Sequence, residues 1–156
     1  MDCALCPNLD SWDEPCTSPK TKLTATEFEL EQGDTIQVKG MILPGATEFS
    51  VNLGEDCDNL ILHFNPCFDN QNDTSSIICM SKKHGVWGKE ERITDFPFEK
   101  GGKFKLSFIL YTYEIKVQLA AGHDIFFPNR LGLETIKYVA VEGDVRIKAL
   151  RFLRLS

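Results

Sequence analysis

No apolar run in the chain approaches the ~18 residues needed to span a bilayer, so membrane insertion is not expected. Basic charge is in deficit: 17 Lys+Arg stand against 23 Asp+Glu, for a formal net charge of −6. The lysines and arginines are scattered. Binding to a phosphate backbone depends on a concentrated basic patch, so nucleic acid is not expected as a partner. The opening residues, Met1-Asp2-Cys3-Ala4-Leu5-Cys6-Pro7, lack both a basic start and an apolar stretch, so no signal peptide is expected. A cytosolic origin follows, where thiols stay reduced. The six cysteines, at 3, 6, 16, 57, 67 and 79, are irregularly spaced and suggest no disulfide framework. Cys3 and Cys6 form a lone CxxC without a second pair or histidines at zinc spacing, so neither metal nor other cofactor is expected. Repeats, low-complexity segments and sustained amphipathic helices are also missing. Asn72-Asp73-Thr74 is formally a glycosylation acceptor, unused without a route into the secretory lumen.

What remains is a chain of 156 residues, 42% hydrophobic and 26% charged, which is the composition of one globular domain with a real core. Residues 1–21, with Pro7, Pro15, Pro19 and three cysteines, show no period of 2 or 3.6. They read as a flexible N-terminal arm whose one aromatic residue is Trp12. Residues 22–156 read as the folded domain. There the pattern is β almost throughout. Thr35–Met41 alternates, as do Phe49/Val51/Leu53, Leu60/Leu62/Phe64, Phe104/Leu106/Phe108, Ile115/Val117/Leu119 and Val145/Ile147/Ala149. Side chains two apart share a sheet face, so each run has one buried side and one wet side. Turn residues punctuate the runs at Gln32-Gly33-Asp34, Leu43-Pro44-Gly45, Gly101-Gly102, Ala121-Gly122-His123 and Glu142-Gly143-Asp144. About eleven short strands at this spacing predict an all-β, antiparallel sandwich of the jelly-roll kind. After Ala149 the last run breaks phase, which predicts a bulge or a second covered face. Its apolar residues on both faces read as a closing core strand and also raise a homodimer through terminal strands.

The chemically informative block runs from Leu60 to Phe98. Alternation puts His63, Asn65 and Cys67 on one face, with Leu62, Phe64 and Pro66 on the other. Trp87-Gly88-Lys89-Glu90-Glu91-Arg92 follows. An indole beside a donor and an acceptor suits a sugar: the C–H face of a pyranose lies on the ring, while its hydroxyls need both kinds of partner. Glu90 accepts, Arg92 donates, and His63 and Asn65 do either. Glu48, just before Phe49, falls on a strand expected to border the same face. It reads as solvated, or as a contact to an outer sugar.

At these residues the chain resembles the galectins over about residues 23–156. His63-Phe64-Asn65-Pro66 matches the family's H-F-N-P-R-F strand, and Ile77-Ile78-Cys79-Met80-Ser81 aligns with its V-x-N-S strand. Trp87-Gly88-Lys89-Glu90-Glu91-Arg92 matches W-G-x-E-x-R, followed by Phe96-Pro97-Phe98, and Phe126-Phe127-Pro128-Asn129-Arg130-Leu131 matches F-P-N-R-L. The resemblance implies a galectin jelly-roll of two antiparallel sheets and metal-free recognition of β-galactosides. It implies that His63 and Asn65 hold the axial 4-hydroxyl of galactose and that Trp87 stacks on its ring. Glu90 and Arg92 would serve the 6-hydroxyl and the neighbouring sugar. It also implies galactose-containing glycans as partners, and a cytoplasmic protein with non-classical export to the extracellular space.

Two sugar-contact positions depart from the family pattern. Cys67 stands where the family has Arg, and Met80 where it has Asn. A thiol is short, neutral and a poor donor, whereas a guanidinium binds and also holds its neighbours. Losing a hydrogen bond to a charged group costs about 1.5–3 kcal/mol, a tenfold to hundredfold loss of affinity. Met80 removes a further neutral hydrogen bond worth about 1 kcal/mol. The sequence therefore predicts a lectin with weakened or altered galactoside specificity. The alternative is a galectin-fold protein that has lost lactose binding and acts through protein contacts or as a structural protein. A glycosidase needs two carboxylates flanking one bond, and adjacent Glu90 and Glu91 on an extended segment point apart, so an enzyme is not expected.

Overall fold

The computed structural model describes residues 21–69, 74–119 and 122–155. Twelve strands occur in chain order: β1 Thr21–Ala25, β2 Thr35–Ile42, β3 Phe49–Asp56, β4 Asn59–Cys67, β5 Ser76–Lys83 and β6 Val86–Trp87. They continue with β7 Glu91–Ile93, β8 Lys103–Leu110, β9 Glu114–Gln118, β10 Asp124–Pro128, β11 Tyr138–Gly143 and β12 Val145–Leu153. No α-helix occurs among the described residues. Of the proposed arm, residues 1–20, with the Cys3/Cys6 pair and Trp12, lie outside the described residues, and so do Asn72 and Asp73 of the sequon; Thr21, read as the arm's last residue, opens β1 because it pairs with Gly143 of β11.

The strands form two antiparallel sheets. One runs β1-β11-β3-β4-β5-β6, with β7 also pairing β5, and the other runs β10-β9-β8-β2-β12. Every alternating run named from the sequence lies in or runs one residue past one of these strands, and most of its apolar positions fill the space between the sheets; Met41, Leu60 and Ala149 stay outside that core, the last two where the register of β4 and β12 shifts. Phe49, Val51, Leu53, Leu62, Phe64, Ile77 and Cys79 enter from the first sheet. Ile36, Val38, Leu106, Phe108, Ile115 and Val117 meet them from the second. Phe64 packs edge-on against Phe108 with ring centroids 5.6 Å apart, which ties the two sheets together at their centre.

The phase break in the last strand is a bulge. The register of β12 against β2 shifts between Ile147 and Ala149. Beyond it Leu150 packs against the core, whereas Phe152 and Leu153 stay 38% and 46% exposed on an edge strand. Phe152 is partly covered by Phe28, at 4.6 Å between centroids. Asp34 anchors the C-terminal segment: its carboxylate accepts from the backbone N–H groups of Glu31 and Leu155, both at 2.8 Å. These two bonds hold its pKa below the usual carboxylate range.

Candidate functional site

The outward face of the first sheet is set by register. Asn52 pairs with His63 and His63 with Met80, and the next row pairs Asn65 with Ile78 and Ile78 with Arg92. Cys67 lies opposite Ser76 on one side and Glu48 on the other. Paired residues share a face, so one patch across β3, β4, β5 and β7 gathers His63, Asn65, Cys67, Met80 and Arg92. Trp87 is brought in by the tight turn between β5 and β6. Its central residues, His84 and Gly85, both have positive φ (51° and 78°), the geometry of a two-residue hairpin. The turn is pinned by His84 N–H to Asn59 Oδ1 at 3.0 Å, and Trp87 then pairs with Lys82.

His63 is fully buried, with its ring 4.8 Å from that of Trp87 at an interplanar angle of 61°. Its Nδ1 lies 2.5 Å from Asn52 Oδ1. An amide oxygen only accepts, so Nδ1 carries the proton and Nε2 is left as an acceptor. That Nε2 is buried without a hydrogen-bond partner. Burial, with the Lys82 ammonium adding to it, pushes the pKa of His63 down to about 4, so the ring is neutral at physiological pH. Lys82 is itself buried, with its Nζ 4.8 Å from the Trp87 ring centre.

Asn65 is also fully buried, and its amide is committed. Nδ2 donates to Glu48 Oε1 at 3.0 Å and to the Phe49 carbonyl at 2.6 Å. Cys67 Sγ lies 3.3 Å from Asn65 Oδ1, with the thiol as donor. Glu90 and Arg92 form an ion pair at 3.2 Å with side chains 39% and 41% exposed, and Arg92 also donates to Ser76 Oγ at 2.9 Å. Glu91 belongs to a different pair: it meets Arg130 at 3.0 Å, and that guanidinium also donates to the Lys89 carbonyl at 2.8 Å. Arg130 thereby fastens the segment after Trp87 to the loop that follows β10.

The seven residues singled out from the sequence therefore come together on one face, and Met80 lies 4% exposed directly opposite His63. Two readings need correction. Glu48 is 2% exposed rather than solvated, because it is drawn in by the Asn65 amide. Asn65 does not both donate and accept toward a ligand, since both its N–H groups are taken. Sequence reasoning missed Asn52, which fixes the His63 tautomer, and Lys82. Both were findable by period 2: Asn52 is the polar residue between Val51 and Leu53, and Lys82 is two beyond Met80. Among the described residues no three His, Cys, Asp or Glu side chains converge as metal ligands.

A family model for the galactoside-binding lectins matches residues 21–152. The chain is similar to the 16 kDa beta-galactoside-binding lectin of Gallus gallus, 45% identical over 130 residues, which are 83% of this chain and 96% of that one. Among solved structures it is similar to CG-16, a homodimeric agglutinin from chicken liver. There the TM-score is 0.81 at 44% identity, over 85% of this chain and 99% of that one. It is also similar to a toad ovary galectin solved in complex with thio-digalactose, with a TM-score of 0.79 at 34% identity over 84% and 97% of the two chains.

Proposed function

This chain belongs to the galactoside-binding lectins, the galectins, and we propose that it binds β-galactoside-containing glycans non-covalently with weakened or altered specificity. The carbohydrate-recognition domain spans residues 22–156. The observation that carries the reading is the half-buried Trp87 ring beside the unpartnered Nε2 of His63, with the Arg92–Glu90 pair on the same face. A buried acceptor without a partner costs about 1–3 kcal/mol, and a sugar hydroxyl donating to it relieves that cost. In this reading galactose lies on Trp87 with its 4-hydroxyl over His63 and Asn65, and Glu90 and Arg92 take the adjoining hydroxyls.

Three features weaken the contact. Cys67 supplies no guanidinium, and Met80 offers no amide at the floor of the site. Nε2 of His63 is shielded from solvent, so a hydroxyl reaches it only when the side chains around it shift, which subtracts from the binding free energy. A second copy of the chain is the natural protein partner. Leu23 at the β1 edge and Phe152 and Leu153 at the β12 edge are exposed apolar groups on terminal strands, and one similar protein is a homodimeric agglutinin.

A glycan array probed with the full chain under reducing conditions tests the proposal. The expected result is weak or shifted recognition of galactose-terminated glycans. Absence of binding to any glycan at millimolar concentration would favour the reading in which the chain acts through protein contacts alone.

A further inference from the structure

We infer that Glu48 is a specificity-determining positioning residue, which acts through Asn65 by holding its amide donors away from the ligand. The inference rests on the galactoside reading above and deepens it. Asn65 has two acceptors on one side of its amide, Glu48 Oε1 at 3.0 Å and the Phe49 carbonyl at 2.6 Å, and one donor, the Cys67 thiol, at 3.3 Å on the other. An amide flipped end for end would set its oxygen against two acceptors and its N–H groups against a thiol hydrogen. The orientation is therefore fixed by chemistry.

Glu48 is not free to withdraw. Its carbonyl accepts from Asp144 N–H at 3.0 Å, and the Asp144 carboxylate in turn binds Thr47 through N–H at 2.9 Å and Oγ1 at 3.0 Å. Phe68 N–H donates to the Thr47 carbonyl at 2.9 Å, which closes the other side. Gly143, at φ 115°, makes this approach possible: a Cβ there would come within 2.7 Å of the Glu48 carbonyl oxygen and 2.6 Å of Phe49 Cα.

The consequence is that His63 and Asn65 offer acceptors and have no N–H left for a ligand. His63 spends its one N–H on Asn52 and presents Nε2, and Asn65 spends both N–H groups on Glu48 and Phe49. The nearby cations flank these two residues: Lys82 lies beside Trp87 at the His63 end, and Arg92 lies across Ile78 from Asn65. A hydroxyl over His63 and Asn65 donates to this pair and receives nothing from either of them. The chain therefore reads a galactose 4-hydroxyl through one bond where freed Asn65 would supply a second, and discrimination against a sugar lacking that hydroxyl is correspondingly low.

The test is calorimetric titration of lactose and 4′-deoxylactose into the wild-type chain, Glu48→Ala and Glu48→Gln, each first checked for cooperative unfolding. Glu48→Ala frees one Asn65 N–H and raises lactose affinity by about threefold to tenfold, the worth of one hydrogen bond. The gain is absent for 4′-deoxylactose. Glu48→Gln keeps an amide oxygen for Asn65 and stays at the wild-type value. Equal lactose affinity in all three proteins, a gain shared by 4′-deoxylactose, or a gain in Glu48→Gln as large as in Glu48→Ala overturns this inference alone. Failure of all three proteins to bind lactose overturns the galactoside reading as well.

Discussion

The two faces of β4 and β5 are both buried, and they are buried for opposite reasons. Leu62, Phe64, Ile77 and Cys79 turn inward into a continuous apolar core with no polar group to satisfy. Cys79 shows how dry that side is: burial, with Glu91 adding to it, pushes its thiol up to about 12, so it behaves as a small hydrophobe. One residue along the chain in each case, His63, Asn65 and Met80 turn outward, equally hidden from solvent but held in a polar network that leaves His63 Nε2, Asn52 Nδ2 and Ser50 Oγ without partners. A stable domain satisfies nearly all such groups. The inward face is optimised for folding. The outward face tolerates unmade hydrogen bonds, as expected of a surface that a ligand completes.

The sharpest way to separate the faces is to damage each in turn. Phe64→Ala removes a fully buried ring from between the sheets and is expected to cost about 3–5 kcal/mol in denaturant unfolding. Next in size is a pH effect from the outward face. An unfolded histidine takes up its proton near pH 6.5, whereas folded His63 stays neutral down to about pH 4. Between those values the unfolded chain binds more protons, so stability falls as pH falls, by about 3 kcal/mol in total at 1.36 kcal/mol per unit. His63→Gln should flatten that segment of the stability–pH curve. A curve equally steep in the variant would assign the effect to other groups.

Smaller effects concern binding. Trp87→Ala is expected to lower galactoside affinity by about tenfold or more through loss of the stacking surface, because the ring is half-buried and forms no part of the inter-sheet core. Cys67→Arg combined with Met80→Asn should raise lactose affinity by about tenfold, measured by titration calorimetry. An unchanged value would mean that Glu48, directly across from position 67, captures the new guanidinium. Smallest of all, Arg92→Gln breaks an ion pair whose side chains are about 40% exposed, and should shift stability by less than about 1 kcal/mol.

The inward face was almost wholly legible in the sequence, because period-2 alternation and burial between sheets are the same fact stated twice. Even the bulge near Lys148 announced itself as a break of phase between Ile147 and Leu150. The outward face was legible in membership but not in wiring. Alternation assigned His63, Asn65 and Cys67 to one side, and the motif order brought Trp87, Glu90 and Arg92 to them. Nothing along the chain indicated that Glu48, 17 residues before Asn65, would be drawn out of solvent by the Asn65 amide. Cross-strand contacts of that kind depend on register, and register becomes visible only when strands are paired.

The most direct test of the account is a ¹H–¹⁵N correlation titration of the full chain with lactose. The account predicts shifts concentrated at the Trp87 indole, His63, Asn65 and Arg92, with the inward-facing Phe64 and Cys79 amides moving least. Shifts centred elsewhere, or none at 50-fold excess, would contradict it.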